Sequence, residues 1–328
     1  MDVRPPILGG PFLPKLARLL ISAALLFGVV IALILFTTRR EPANPLASAP
    51  LAPWTSEPIQ PLIEVPSLDV AKVALGRKLF EDRRLSGRNN LPCAACHDVG
   101  SNGSLSGNRT TRFDTPTIFN SALNSRLGWQ GMEWTLEQQA LATIKSPMVS
   151  QGVALQTMID RLAQDSRMRQ EFAAIYDRSI DIEGVVDAIA CYERSLVTPG
   201  SRFDLWLAGN KSAMSEQALR GYERFKQLGC VSCHQGQNVG GNLLQKHGIF
   251  RPLATPEPRI LRVPSLRNVA TTAPYFHDGS ARTLDQAVKK MAASQLNVDL
   301  KPQEVSDLVA FLNMLTGNYA GQKVRAPG

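Results

Sequence analysis

The feature that most constrains this chain is a pentapeptide, Cys-x-x-Cys-His, that occurs at residues 93–97 and again at 230–234. The two copies contain four of the five cysteines and two of the four histidines. Each copy places two thiols and an imidazole on one short turn of backbone, and such a turn can both attach and ligate a large group. The chain is therefore expected to fold around two attached groups.

This pentapeptide is the attachment signature of c-type haem. Its thiols bond the two vinyl groups, and the adjacent imidazole becomes the proximal iron ligand. A structural zinc site would need four ligands, and a bare dithiol pair would not need the histidine. We therefore predict two covalently bound haems, with His97 and His234 as proximal ligands. The predicted thioether residues are Cys93, Cys96, Cys230 and Cys233.

The chain also repeats beyond the pentapeptide. Residues 115–143 align without a gap to residues 263–291, and the identities include Pro116 with Pro264 and Asn120 with Asn268. Both blocks contain a Thr-x-x-Gln capping box, which predicts a helix starting at the same point in each copy. The sequence thus indicates two diverged copies of one cytochrome c-like module.

Helical patterning dominates from Ser67 onwards, and alternating Val/Ile strands are missing, so the predicted fold class is all-α. Ser67 is the predicted N-cap of a helix in "SLDVAKVALGRKLFED". Residues 153–196 are expected to form two helices. A further helix should run from Ser215 to Gly229, and "QEVSDLVAFLNMLTG" should form the last one.

The N-terminal part has a different composition. Residues 19–36 form an apolar run without charge, which is long enough for an uncleaved transmembrane helix; a signal peptide is the alternative. Residues 42–66 contain seven prolines and are predicted to be an extended tether. The predicted domains are a membrane anchor at 1–41, the tether at 42–66, and cytochrome c-like domains at 67–210 and 211–328.

The formal net charge of +8 does not indicate a nucleic-acid-binding protein. Part of this charge precedes residue 42, and haem propionates would offset most of the remainder. A solvated basic surface explains the rest.

The two haems are expected to differ in their second axial ligand. Met291 follows His234 on a capped helix, at a position natural for a cytochrome c ligand, and His247 is the alternative. His/Met ligation raises the reduction potential, which suits an electron-accepting haem. The repeat places Thr143 at the matching position of the first copy, and threonine does not ligate haem iron. Unless Met132, Met148 or Met158 binds, the first iron is open.

At these residues the chain resembles the bacterial di-haem cytochrome c peroxidase family, which includes the MauG-type enzymes. The resemblance covers residues 67–318, and its further motifs are "ERSLVTPGSRFD" and "VPSLRNVATTAPYFHDGS". In that family a small cytochrome or copper protein donates electrons to the C-terminal haem. The electrons pass to the N-terminal haem, where hydrogen peroxide is reduced to water.

The resemblance also implies roles for individual residues. Trp129 matches the tryptophan between the haems, a candidate electron relay. His277 matches the histidine of "PYFHDG", which is either catalytic or a hydrogen-bonding support. The residues that match the family's calcium site are Asp114, Thr272 and Pro274. Calcium favours oxygen ligands, which the last two would supply from their backbone carbonyls.

Two positions depart from the family pattern. Ser106 stands where many relatives place a histidine on the open side of the N-terminal haem, and Val149 stands where the family has a distal glutamate. Loss of such a general acid costs about 10²–10⁴-fold in rate. Glu133 or Glu137 could substitute. Met291, instead of the tyrosine of MauG, argues against a faithful MauG copy.

The sequence therefore predicts a membrane-tethered peroxidase with its catalytic head in the periplasm. Hydrogen peroxide is the expected substrate, and a homodimer is possible by analogy with the family. Two alternatives stay open. One is MauG-like, peroxide-dependent oxidation of another substrate, and the other is a non-enzymatic di-haem electron carrier in which Met148 ligates the first iron.

Overall fold

The structure, a computed structural model, describes residues 57–62, 64, 66–105 and 113–327. The predicted membrane anchor, most of the predicted tether and Ser106 lie outside the described residues. In the part of the chain that is described, no helix has the length and apolar character needed to cross a membrane.

Five helices form what we call the first lobe. They pack around an apolar core that includes Leu79, Phe80, Ile144, Phe172 and Ile189. Their bounds are α1 Val70–Phe80, α2 Leu136–Lys145, α3 Leu155–Ala163, α4 Ser166–Tyr176 and α5 Ile182–Ser195.

Four helices form the second lobe, with a core that includes Phe203, Tyr222, Phe225, Leu308 and Phe311. They are α6 Arg202–Leu207, α7 Glu216–Gln227, α8 Leu284–Met291 and α9 Pro302–Asn313. An antiparallel hairpin pairs β1 Leu244–Lys246 with β2 Ile260–Arg262, and a second hairpin pairs β3 Asn318–Tyr319 with β4 Gln322–Lys323. The molecule is helix-rich, as predicted, but the two hairpins were not foreseen because each strand has only two or three residues.

Each lobe contains a close crossing of two helices, and the two crossings are built in the same way. In the first lobe α1 crosses α5 at Gly76, where an added Cβ would lie 1.9 Å from the carbonyl oxygen of Ala188. In the second lobe α7 crosses α9 at Gly221, where the corresponding distance to the carbonyl oxygen of Asp307 is also 1.9 Å. Only glycine permits this approach. The repeat seen in the sequence is therefore accompanied by the same helix packing in both lobes.

The helix ends confirm some predictions and correct others. Thr135 and Thr283 cap α2 and α8 through the backbone amides of Gln138 and Gln286. However, α1 is capped by Asp69 and not by Ser67, because the Asp69 carboxylate accepts from two backbone amides, at 2.9 and 3.1 Å.

The stretch 153–196 forms three helices where two were predicted. The extra break comes at Asp165, whose carboxylate accepts from the amides of Arg167 and Met168 and so starts a new helix. Helix α7 begins after Ser215, as predicted, and Gly229 follows its end with φ +84°.

A threonine hydroxyl joins the two copies of the repeat. The side-chain amides of Asn120 and Asn268, which occupy matching positions, both donate to Oγ1 of Thr198, at 2.8 and 2.9 Å. A hydroxyl oxygen has two lone pairs and can accept both. All three residues are buried, so this contact is protected from water.

Both ends of the described chain pack against the lobe that is distant in sequence. Ile59, within the predicted tether, is fully buried in the second-lobe core, and the amide of Leu62 donates to Asp204 at 2.9 Å. At the other end, Val324 is buried in the first-lobe core and Tyr319 packs against it. The extended tether predicted for 42–66 therefore does not hold for residues 57–62.

Candidate functional site

The first pentapeptide forms a short 3-10 turn, Cys93–Ala95, that brings the following histidine back over the turn. The amide of His97 donates to the carbonyl of Cys93, and Nδ1 of the ring lies 3.1 Å from the carbonyl of Gly103. This contact leaves Nε2 available as the iron ligand. Burial lowers the pKa of His97, while the carbonyls of Gly103 and Pro116 oppose the shift. The ring is thus held neutral, the form that binds metal.

The second pentapeptide repeats this geometry on the turn Cys230–Ser232. The amide of His234 donates to the carbonyl of Cys230 at 3.0 Å, and burial lowers the pKa of His234 to about 4. Its Nδ1 is buried and makes no hydrogen bond of normal geometry with the described residues. The carbonyls of Val239 and Pro264 lie near enough to raise its pKa slightly against the effect of burial.

A phenylalanine packs beside each histidine in the same way. Phe80 and His97 have ring centroids 6.4 Å apart with planes inclined by 49°, and Phe225 and His234 have centroids 6.4 Å apart at 51°. The two histidines therefore occupy equivalent places in their lobes.

The second lobe encloses a cavity of about 530 Å³ that fits a large planar group. Cys230, Cys233 and His234 line it together with Met291. Leu228, Leu308 and Leu312 contribute apolar wall. The volume is within the usual range for ligand and cofactor pockets. Two cysteines, a neutral imidazole and a thioether around one apolar cavity are the donor set of a His/Met c-type haem.

A second cavity of about 530 Å³ borders His97 in the first lobe. Phe80, Tyr192 and Tyr319 form its aromatic wall. Its lining includes Ala94 but neither cysteine of the pentapeptide. This cavity therefore lies beside the attachment turn, and the fit of the first haem is supported by the turn geometry that it shares with the second.

Trp129 lies between matching positions of the two copies. Its indole Nε1 donates to the carbonyl of Asp114 at 2.8 Å, and its own carbonyl accepts from the amide of Arg262 at 2.8 Å. Asp114 and Arg262 are aligned by the repeat, and all three residues line the second-lobe cavity. An aromatic side chain fixed by both copies at a haem cavity is well placed to carry electrons between them.

Comparison with known proteins agrees with this geometry. The model of the di-haem cytochrome c peroxidase family matches residues 70–212, and the cytochrome c model matches residues 218–316. A cytochrome c551 peroxidase of Nitrosomonas europaea is 38% identical over 82% of this chain and 87% of its own length. The chain belongs to the di-haem cytochrome c peroxidase family.

Further relatives include both branches of this family. The Escherichia coli cytochrome c peroxidase is 36% identical over 87% of this chain and 67% of its own length. The methylamine utilization protein MauG of Methylophilus methylotrophus is 31% identical over 79% of this chain and 86% of its own length. Among solved structures, a MauG-like protein associated with microbial copper homeostasis has a TM-score of 0.66 and 27% identity, covering 82% of this chain and 96% of that one.

His277, the second residue taken from the family motif, lies beside Trp129. It is 2% exposed, its Nε2 lies 2.9 Å from Oγ1 of Thr255, and its ring centroid is 6.2 Å from that of Trp129. The structure thus brings Trp129 and His277 together at the second-lobe cavity. His97, the third predicted catalytic residue, borders the first-lobe cavity.

His247, the alternative to Met291 as iron ligand, also lines this cavity. Its Nε2 lies 2.9 Å from the carbonyl oxygen of Pro258, and its ring centroid is 5.2 Å from that of His277. Its other ring nitrogen, Nδ1, is buried and has no hydrogen-bond partner among the described residues, so His247 stays the alternative to Met291.

The three residues matched to the calcium site border the same cavity: Asp114, Thr272 and Pro274. Asp114 is buried, and its amide donates to the carbonyl of His277 at 2.7 Å. In the described part of the chain, no group of three or more His, Cys, Asp or Glu side chains is arranged to hold a metal ion. Calcium binding there would combine the Asp114 carboxylate with backbone carbonyls.

The residues expected near the open side of the first haem differ in their exposure. Val149 is 39% exposed, and Oγ1 of Thr143 accepts from the side-chain amide of Gln139. Among the candidate methionine ligands, Met132 is 70% and Met148 is 63% exposed, whereas Met158 is fully buried in the first-lobe core.

Two charged residues of these sites were missed in the sequence. Arg262 lines the second-lobe cavity, and the signal for it was its alignment with Asp114. Glu193 on α5 corresponds to Leu312 on α9, because Tyr192 and Phe311 make the same contact with the helix-crossing glycines. Leu312 lines the haem cavity of the second lobe. Burial raises the pKa of Glu193 to about 8.

Proposed function

We propose that this chain reduces hydrogen peroxide to water at the His97 haem, using electrons that enter at the His234 haem. The observation that carries the proposal is that His234, Met291 and Trp129 border one cavity, whereas the repeat places Thr143 at the Met291 position of the first lobe. The second site could thus hold haem iron through two side chains, and the first through His97 alone. This asymmetry separates electron entry from peroxide binding.

Haem c at each site supplies iron that can change its oxidation state. In the second lobe, His234 and Met291 would both hold the iron and so would leave no place on it for peroxide. In the first lobe, His97 would hold the iron, and the side chain of Thr143 would not serve as a second ligand. Trp129, hydrogen-bonded to Asp114 and Arg262, is the proposed aromatic relay between the two.

Protons for water formation must come from groups other than the usual glutamate, because Val149 replaces it. Glu133 is the better of the two nearby candidates, since burial raises its pKa and favours the protonated acid. Burial is the largest single effect on Glu137 and acts the same way, but the hydrogen bonds to its carboxylate and the charge of Arg194 together outweigh it and lower the pKa.

The cellular setting belongs to the proposal as well. The apolar run at 19–36 would anchor the chain in the inner membrane, with the haem-bearing lobes in the periplasm. The electron donor would be a small cytochrome c or copper protein. Calcium at Asp114, Thr272 and Pro274, and a homodimer, would follow the family pattern.

The test uses the full-length, haem-loaded protein with only the second haem reduced. Hydrogen peroxide is added in a stopped-flow instrument, and both haem spectra are followed, with and without a reduced small cytochrome. Rapid oxidation of the second haem and sustained donor turnover are expected. Absence of any peroxide-dependent oxidation, with a low-spin first haem, would contradict the proposal.

Peroxide-dependent oxidation of another substrate is the second candidate, and Val149 favours it. Without a distal acid, delivery of the protons needed to reduce peroxide fully to water would be slow, which favours a reaction that oxidises another substrate. In the same experiment this function predicts a persistent oxidised spectrum without donor turnover.

A further inference from the structure

Arg262 is a buried cation at the wall of the second-lobe cavity. It ends strand β2, is only 7% exposed and lines the cavity that contains His234 and Met291. Burial lowers its pKa to about 10, but the side chain stays protonated at neutral pH. A cation in such a place is costly unless an anion or several acceptors surround it.

The protein itself supplies little of this compensation. Nε of Arg262 donates to the carbonyl of Gly128 at 3.0 Å, but the two terminal nitrogens have no hydrogen-bond acceptor among the described residues. No carboxylate there forms an ion pair with it. Arg267, five residues later and also buried, forms two bonds of 3.0 Å with the carboxylate of Asp204. Arg262, by contrast, has no counter-charge among the described residues, although it faces the cavity.

The internal repeat makes this position distinctive. Arg262 aligns with Asp114, so the two copies carry opposite charges at matching places. Both residues also bind Trp129 through their backbones. The amide of Arg262 donates to the carbonyl of Trp129, and the carbonyl of Asp114 accepts from the Trp129 indole. The guanidinium is therefore present in the second copy only.

We propose that the Arg262 guanidinium binds a propionate carboxylate of the haem attached at Cys230 and Cys233. A planar guanidinium with free terminal nitrogens suits a bidentate carboxylate. Since Arg262 also bonds the carbonyls of Gly128 and Trp129, it fixes the relay residue relative to that haem. Arg262 is thus a positioning residue. The inference requires only the second haem site, so it can hold or fail independently of peroxide reduction.

The test compares full-length, haem-loaded Arg262→Gln and Arg262→Lys with the wild type. A buried cation disfavours ferric haem, so Arg262→Gln should shift the reduction equilibrium of the second haem about tenfold towards the ferric form, or about 59 mV for one electron. The first haem should keep its potential. The propionate bending band in the resonance Raman spectrum should move in both variants, while Arg262→Lys should retain most of the potential.

Arg251→Gln is the matched control, because Arg251 lies in the same lobe but forms an exposed ion pair with Asp299. It should change neither measurement. An Arg262→Gln protein with wild-type potential and an unmoved propionate band would overturn the inference. If Arg262→Gln does not incorporate haem, the propionate band of Arg262→Lys tests the inference instead. An unchanged band in that variant would mean that the guanidinium does not touch the propionate.

Discussion

The indole nitrogen of Trp129 donates a 2.8 Å hydrogen bond to the backbone carbonyl of Asp114. The bond joins the loop that carries the proposed relay to the segment that leads into the first copy's Pro116. Trp129 is therefore held by its ring as well as by its backbone, which is what an electron relay of fixed geometry requires.

Replacing Trp129 by phenylalanine keeps an aromatic ring but removes this donor. We expect a loss of about 1 kcal/mol in the free energy of unfolding, because the Asp114 carbonyl loses its partner. Electron transfer from the second haem to the first should slow in stopped-flow measurements. Trp134→Phe is the control, since the Trp134 ring is exposed. Equal transfer rates in the two variants would count against the relay.

A methionine at position 143 should close the first haem. Thr143→Met restores the residue found at the matching position 291, so the first haem should become six-coordinate and low-spin, and most peroxide turnover should be lost. Electron paramagnetic resonance and activity assays check this together. Met148→Leu is the companion variant: unchanged spin state is expected, and a change would instead favour the electron carrier in which Met148 is the ligand.

The helix crossings should not tolerate a methyl group. In Gly76→Ala the new Cβ would meet the Ala188 carbonyl at 1.9 Å, and backbone cannot move aside cheaply. We expect a loss of about 3 kcal/mol in unfolding free energy, measured by urea denaturation. Gly100→Ala should behave nearly as wild type, because its closest neighbour is the end of the Asp98 side chain at 3.1 Å.

Breaking the buried ion pair of Arg267 and Asp204 should lower the free energy of unfolding far more than breaking an exposed one. Asp204→Asn leaves the guanidinium buried without its counter-charge, and the expected loss of unfolding free energy is about 3–5 kcal/mol. Asp299→Asn breaks the exposed pair with Arg251 and should cost about 1 kcal/mol or less. Similar losses in the two variants would show that burial does not set the difference.

Glu193 should make stability fall as pH rises. Burial raises its pKa from 4.5 to about 8, against the opposing effect of Arg194 and with a smaller raising effect of Glu137. The folded protein therefore binds this proton more tightly than the unfolded chain. Its contribution is fully present below about pH 4.5 and is lost as pH rises through 8.

Glu193→Gln should flatten this part of the profile and melt several degrees higher than wild type at pH 8–9. Thermal unfolding of the haem-loaded proteins between pH 4 and 9 measures the effect. Glu183→Gln on the same helix is the control, because that side chain is 85% exposed. Parallel profiles for wild type and Glu193→Gln would refute the prediction.

The sequence predicted those parts of the fold that are controlled by local chemistry or by repetition. The capping threonines at 135 and 283 act within three residues, so their helices begin where expected. The prediction of Ser67 as N-cap was wrong because the carboxylate of Asp69, two residues further on, accepts hydrogen bonds from two backbone amides. Competition between neighbouring caps depends on geometry that a one-dimensional pattern does not contain.

The candidate site was predictable where it rests on short motifs. The pentapeptides and Met291 follow from spacing, and the structure places His234 and Met291 at one cavity. Arg262 was missed because, in the sequence alone, an arginine in a short strand looks like an ordinary solvated surface charge. Its burial results from contacts with Gly128 and Trp129, more than a hundred residues away.

The exchanged ends of the chain have a consequence for protein engineering. Ile59 completes the core of the second lobe, and Val324 completes that of the first. Cutting the chain at its midpoint would therefore not separate two complete lobes. Expression of either half by itself would leave a hole in its interior. A single-haem version should instead be made by circular permutation or by replacing one pentapeptide within the intact polypeptide.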